Sequence, residues 1–93
     1  MDELYSAQTG VFMELLTNVQ EFVLGEISVR EFLAIHECSY GLYKHLKNLC
    51  RDELSFMQRV NRRAIRYDSS ITAEESEKLR LSLEKMLNRF ISN

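Results

Sequence analysis

A tight turn between two helices is encoded in the stretch Gly25–Phe32, and it constrains the fold more than any other part of the chain. Gly25 suits the left-handed residue that closes a helix, because it has no Cβ to clash in that conformation. Ser28 and Glu31 have the spacing of a capping box, in which each side chain binds the other residue's backbone amide at the start of a helix. The stretch therefore predicts a helical hairpin.

Apolar residues recur at three- and four-residue spacing along the whole chain, which predicts amphipathic helices. The 93 residues include no proline and only three glycines, so little interrupts these helices. A second capping box, Thr72 with Glu75, predicts the start of the last helix. We predict a single helical domain over residues 1–93, with helices at about 2–24, 29–48, 52–67 and 72–92.

The second helix is expected to bury one apolar stripe, formed by Phe32, Ile35, Leu42, Tyr43, Leu46 and Leu49. Where this helix ends decides between two architectures. An unbroken helix over residues 29–67 would be about 58 Å long, and the resulting three-helix chain would need a second copy to cover its apolar surface. A break between Asn48 and Glu53 instead gives a small antiparallel four-helix bundle that is stable as a monomer. We favour the break, with Asn48 or Asp52 as the N-cap.

Composition excludes several classes of protein. Apolar runs are short and interrupted by charge, so no segment is expected to span a membrane. The first residues are acidic and lack the basic-then-apolar layout of a signal peptide. Two cysteines without an export signal suit a reducing compartment, so we expect a cytoplasmic protein.

Residues with catalytic or metal-binding potential form no recognisable pattern. The soft metal ligands are His36, Cys38, His45 and Cys50, and their spacing matches no zinc signature. We interpret them as surface or rim histidines and buried thiols. No phosphate-binding glycine loop or nucleophile motif is present. We therefore predict no catalytic residue, no metal, no cofactor and no enzymatic activity.

Charge is strongly segregated along the chain. Residues 1–43 contain seven carboxylates and one arginine, whereas residues 44–66 contain seven lysines and arginines and two carboxylates. Such segregation steers a partner of opposite charge. Alternatively, the two segments attract each other within the bundle and have no role in binding.

Each segment offers a candidate binding surface. The acidic helical hairpin would present carboxylates that resemble a phosphate backbone. Tyr40 and Tyr43 lie nearby as candidate aromatic anchors of the kind that dominates interfaces, although Tyr43 is more consistent with the core. The candidate residues of the hairpin are Glu14, Glu21, Glu26, Glu31, Glu37 and Tyr40. The basic alternative is an arginine stripe at helical spacing, able to lie along phosphates or to pair with the acidic hairpin. It consists of Arg59, Arg62, Arg63 and Arg66.

The segment from Val19 to Phe32 resembles the opening hairpin of colicin D-type immunity proteins: an apolar helix with Phe22, a Gly-x-Ile-Ser turn, then Glu-Phe. The later stretch from Ile71 to Glu75 is similar to the family's last helix. The resemblance implies a small acidic helical bundle that neutralises a tRNA-cleaving toxin by engaging its basic catalytic cleft. It assigns this role to Glu21, Glu26, Glu31 and Glu37. The arginine stripe departs from a wholly acidic inhibitor.

These observations predict a bacterial immunity protein that covers the basic active site of a nuclease toxin with an acidic helical surface. A monomer is favoured over a homodimer, and no contact with a membrane is expected. One alternative is a nucleic-acid-binding protein that uses the stripe from Arg59 to Arg66. The other is a homodimeric adaptor or secretion chaperone.

Overall fold

The computed structural model describes residues 3–92 of the chain, and the side chains of residues 10–92. This range contains four α-helices and no strand: α1 (Glu3–Val23), α2 (Val29–Tyr43), α3 (Arg51–Ala64) and α4 (Ala73–Ser92). The all-α prediction with four helices is confirmed, and the single long central helix is wrong. The predicted first helical residue, Asp2, lies outside the described range. No helix within that range is long and apolar enough to cross a bilayer.

The turn between α1 and α2 has the geometry that its sequence predicts. Gly25 has a φ of 79°, in the left-handed region, and its amide bonds to the Phe22 carbonyl at 3.1 Å. The Glu26 amide bonds to the Glu21 carbonyl at 2.8 Å, which completes a Schellman motif at the end of α1. Ser28 and Glu31 then form both hydrogen bonds of the capping box. Their two bonds hold the start of α2 directly after the turn.

The second helix ends at Tyr43, five residues before the predicted end at Asn48. The amides of His45 and Leu46 bond to carbonyls three residues back, which tightens the chain out of the α-helix. Asn48 has a φ of 61°, a conformation that asparagine tolerates better than most residues. Helix α3 then begins after Cys50, which has no side-chain capping bond, so the predicted N-caps at Asn48 and Asp52 are wrong.

The loop between α2 and α3 is held against the core by apolar residues. Leu46 and Leu49 are partly buried and pack on the core cluster. On a straight continuation of α2 these two side chains would move away with the helix, and their apolar surface would remain in water. The hydrophobic free energy gained when the loop folds back therefore offsets the loss of the α-helical backbone hydrogen bonds that a longer α2 would form.

The second capping box also forms: the Thr72 and Glu75 side chains each bond to the other residue's amide. It starts α4 one residue after the predicted boundary. Helix α3 ends at Ala64, earlier than the predicted residue 67.

The contacts of α1 with α2 and of α1 with α4 follow opposite chain directions. Going backward along α1 and forward along α2, Phe22 stacks on Phe32, Glu14 bonds to Ser39, and Phe12 meets Tyr43. The same holds between α1 and α4, where Phe12 contacts Phe90 and the Val23 carbonyl accepts a bond from Arg80. Helix α3 packs between α2 and α4, through His36–Asn61 on one side and Phe56–Phe90 on the other. The helices thus form a ring in chain order, and the α3–α4 side lies opposite the α1–α2 side.

The core is rich in aromatic residues. Its largest fully buried side chains are Tyr43, Phe32, Leu15, Met57, Leu83, Val19 and Val60. Burial raises the pKa of Tyr43 to about 12, because the charged phenolate loses its hydration.

Two of the residues predicted on the buried stripe are exposed instead: Ile35 by 38% and Leu42 by 63%. Both lie on the side of α2 away from α3, so the buried face of α2 is centred on Phe32, His36, Ser39 and Tyr43.

Two glycines provide a matched test of this backbone. We expect Gly25→Ala to lower the free energy of unfolding by about 1–2 kcal/mol, because a Cβ is strained at this positive φ. Gly41→Ala should raise it by about 0.5–1 kcal/mol, because alanine favours the helix interior and a Cβ there meets no atom within 4 Å. This open space shows that no neighbouring helix approaches closely at Gly41. Urea denaturation of both variants measures the two effects, and equal effects would contradict the described turn.

Candidate functional site

A shallow hollow runs along the outer side of the α1–α2 pair. It is lined by Gly10, Met13, Glu14, Thr17, Asn18, Glu21 and Ile35, and encloses about 460 Å³. Met13 and Ile35 expose apolar surface here, whereas Glu14 is held by a 2.8 Å hydrogen bond from the Ser39 hydroxyl. We call this hollow the acidic face. It combines exposed apolar atoms with two carboxylates, Glu14 and Glu21.

The other predicted acidic residues do not all join this surface. Glu31 is engaged in the capping box, and Glu26 is exposed in the turn. Glu37 and Tyr40 line a different groove, between α2 and α3. The structure thus brings Glu14 and Glu21 together and places Glu37 with Tyr40 elsewhere.

The groove between α2 and α3 has a buried histidine at its floor. It encloses about 560 Å³ and is lined by Arg30, Leu33, Ala34, His36, Glu37, Tyr40, Gly41, Lys44, Asn61, Ala64, Ile65, Tyr67, Asp68 and Ser69. The ring of His36 stacks between Phe32 and Tyr40, with centroids 5.8 and 5.4 Å away. Its Nε2 lies 3.1 Å from Asn61 Oδ1, and its Nδ1 is buried with no hydrogen-bond partner.

Burial lowers the pKa of His36 below its ordinary 6.5, and the hydrogen bond to Asn61 only partly opposes this shift. At neutral pH the ring is therefore uncharged, so its Nε2–H donates to Asn61 and its Nδ1 is a free acceptor. The interpretation of His36 as a surface or rim residue is wrong. His45 is exposed as predicted, and both cysteines are exposed free thiols, contrary to the predicted burial.

A positively charged groove lies between α3 and α4. It encloses about 410 Å³ and is lined by Arg59, Arg63, Lys78, Leu81, Ser82, Lys85, Met86 and Arg89. We call this groove the basic groove, after the five cationic residues that line it: Arg59, Arg63, Lys78, Lys85 and Arg89. Of the predicted stripe, Arg59 and Arg63 line this groove, while Arg62 and Arg66 are exposed outside it.

Sequence reasoning missed the three cations that α4 contributes to the basic groove. Lys78, Lys85 and Arg89 are spaced seven and four residues apart, which places them on one face of a helix. That spacing was a usable signal, but residues 67–93 have nearly balanced charge, which conceals it.

Ion pairs do not join the acidic and basic segments within residues 10–92. Each ion pair found there lies inside α4. Arg80 engages Glu77 and Glu84 on the side of α4 that faces α1, and its hydrogen bond lowers the pKa of Glu77. The arrangement removes these two carboxylates from the α3 side of the helix. The alternative that the arginine stripe pairs with the acidic hairpin therefore finds no support among these residues.

No protein-family model matches this chain, and comparisons with curated proteins and with solved structures gave no significant match. The resemblance to colicin D-type immunity proteins stays a prediction.

Potential metal ligands do not converge in the described part of the chain. No group of three or more His, Cys, Asp or Glu residues there is arranged to hold a metal ion. The hydrogen-bond partner of His36 is the side-chain amide of Asn61. Neither cysteine lines the groove that contains His36. The structure presents two charged surfaces, one acidic with exposed apolar atoms and one basic.

Proposed function

We propose that this protein is a non-enzymatic binding module that covers a basic surface of a protein partner with its acidic face, in the manner of an immunity protein that neutralises a nuclease toxin. The observation that carries the proposal is the composition of the acidic face. Exposed Met13 and Ile35 lie in one hollow with Glu14 and Glu21. Apolar contact supplies affinity, whereas carboxylates supply orientation and rapid association with a cationic site.

The electrostatic state of the acidic face supports this proposal. Neither Glu14 nor Glu21 forms an ion pair with another side chain of residues 10–92. Their negative charge is therefore available to an approaching partner, and the field extends about one Debye length, 8–10 Å, at physiological salt. A nuclease toxin whose active site binds phosphates provides the complementary positive surface. Such an inhibitor acts as a monomer in the cytoplasm, where it protects the cell that makes the toxin.

The proposal predicts that a nuclease toxin is encoded beside this chain's gene, and it is tested with that nuclease domain, purified and assayed on tRNA. We expect the chain to inhibit tRNA cleavage at a one-to-one ratio. Neutralising the acidic face with Glu14→Gln and Glu21→Gln together should slow association about tenfold at low salt, and less at high salt because ions screen the steering. Stopped-flow fluorescence measures the association rate.

The matched control removes two carboxylates elsewhere, with Glu74→Gln and Glu84→Gln on α4. These residues are away from the acidic face, so association should slow less than twofold. An equal effect of the two double variants would show that net charge, not this face, governs association. Undiminished tRNA cleavage with excess wild-type chain would overturn the immunity function itself.

A further inference from the structure

The α3–α4 side of the bundle carries a concentration of positive charge that the proposed function does not use. Five cations line the basic groove, and the groove lining includes no carboxylate. Among residues 10–92, the one ion pair that reaches a groove cation joins Lys78 to Glu74, at 3.7 Å between largely exposed side chains. Such a pair contributes little and exchanges readily for another anion.

We propose that the basic groove is a binding site for the phosphate backbone of duplex nucleic acid. The cations stand on both walls, with Arg59 and Arg63 on α3 and the other three on α4. From Lys78 to Arg89 the helix rises by about 16 Å. One strand of a duplex presents about five phosphates over that length of the axis, since the charges of a single strand are about 3.4 Å apart along it. All five cations can therefore find phosphate partners.

An acidic peptide matches the same groove less well. In an extended peptide the residues on one face repeat about every 6.6 Å, so about three carboxylates would face a groove of this length. At least two of the five cations would then remain without a partner. The density of positive charge thus favours a duplex over an acidic protein segment.

The floor of the groove argues against single strands and against sequence recognition. The uncharged residues that line it are Leu81, Ser82 and Met86, and no aromatic side chain is among them. Single-strand binders rely on aromatic rings on which bases stack. The basic groove contacts backbone only, so we expect RNA and DNA duplexes to bind alike, irrespective of sequence.

The charge distribution of the bundle also fixes the orientation of binding. Because the helices form a ring in chain order, the basic groove and the acidic face lie on opposite sides. A duplex on α3 and α4 is therefore far from the carboxylates of Glu14 and Glu21. One end of the groove approaches Asp52 and Glu53, which line the adjacent hollow with Arg59 and Arg89. The duplex backbone is expected to contact all five cations, with Arg59 and Arg89 closest to these two carboxylates.

Fluorescence anisotropy with labelled 20-base-pair RNA and DNA duplexes tests this proposal with the full chain. We expect a dissociation constant in the micromolar range at 50 mM salt. The logarithm of the binding constant should fall with the logarithm of salt concentration with a slope of about −4, as four to five phosphate contacts require. No binding of either duplex at 100 µM protein and 50 mM salt would overturn the proposal.

The decisive variant removes three groove charges, with Arg63→Gln, Lys78→Gln and Lys85→Gln. It should weaken binding at least about thirtyfold and bring the slope to about −1 to −2, because each lost contact removes about 0.9 from it. The control has the same change of net charge outside the groove, with Lys44→Gln, Lys47→Gln and Arg51→Gln. It should weaken binding less than threefold. Equal losses in the two triple variants would overturn the groove as the site.

Four further measurements keep the result interpretable. Circular dichroism checks that each variant is folded, and the single exposed substitution Lys85→Glu provides a second, milder variant that should weaken binding about tenfold. Polyglutamate and single-stranded RNA serve as competitors. If either binds as tightly as the duplex, the assignment to a duplex backbone is wrong. The Glu14→Gln and Glu21→Gln variant should bind the duplex at least as well as wild type, so this site can fail or succeed independently of the acidic face.

Discussion

Replacing Phe32 with alanine is expected to lower the free energy of unfolding by about 3–5 kcal/mol. The side chain is completely buried, stacks on Phe22 with ring centroids 4.7 Å apart, and contacts the ring of His36. The backbone carbonyl of Phe32, which the substitution keeps, accepts a 3.0 Å hydrogen bond from the buried Asn18 amide. A domain of this size is stable by about 5–15 kcal/mol, so the substitution should remove between about a fifth and all of that free energy of unfolding. Urea denaturation followed by circular dichroism measures the loss.

The matched control for this substitution is Leu42→Ala, on the same helix. The apolar pattern of the sequence predicts both residues on one buried stripe, but Leu42 is 63% exposed. We expect its replacement to change the free energy of unfolding by no more than about 0.5 kcal/mol. A loss comparable to that of Phe32→Ala would mean that α2 is rotated about its axis relative to the described structure.

The parts of this fold that could be predicted from sequence are those determined by neighbouring residues. The Schellman turn at Gly25 and the capping boxes at Ser28 and Thr72 satisfy backbone groups within a few positions of the chain. Local signals of this kind do not depend on the rest of the molecule. They were sufficient to place the start of α2 and α4 and, with helix spacing, to predict four helices.

The rotation of α2 required knowledge of its neighbours. Ile35 and His36 are adjacent in sequence, and hydrophobicity alone assigns the isoleucine to the core. The structure buries the histidine instead, because its ring fits between two aromatic rings and Asn61 of α3 satisfies its Nε2. This partner is 25 residues away in the chain, beyond any local pattern.

The candidate surfaces depended on tertiary structure in the same way. Arg63 and Lys85 line one groove only because α3 packs on α4. Glu14 and Glu37 are both on the acidic hairpin, yet they lie on different sides of α2. Counting charges along the chain thus located the acidic and basic segments but could not assemble them into surfaces.

Acidification is expected to destabilise the fold through His36. Burial lowers the pKa of this ring in the folded state, whereas in the unfolded chain it titrates near 6.5. Below that pH the His36 ring is protonated in the unfolded chain but not in the folded chain, so acidification favours unfolding. The contribution of His36 to stability is complete above about pH 6.5, and it is lost as the pH falls through the folded-state pKa. Thermal melts between pH 8 and pH 5 should show a falling midpoint over the lower part of this range.

Two histidine variants separate this effect from general acid sensitivity. His36→Gln keeps a side chain able to bond to Asn61 but cannot gain a proton, so its melting midpoint should depend less on pH between 7 and 5. His45→Gln, which replaces an exposed ring, should retain the wild-type dependence. Glu53 does not imitate the effect, because burial raises its pKa, and proton uptake by this carboxyl stabilises the folded state as the pH falls. An unchanged pH dependence in His36→Gln would show that protonation of this ring does not cause the fall in the melting midpoint. It would also show that the floor of the α2–α3 groove is open to water.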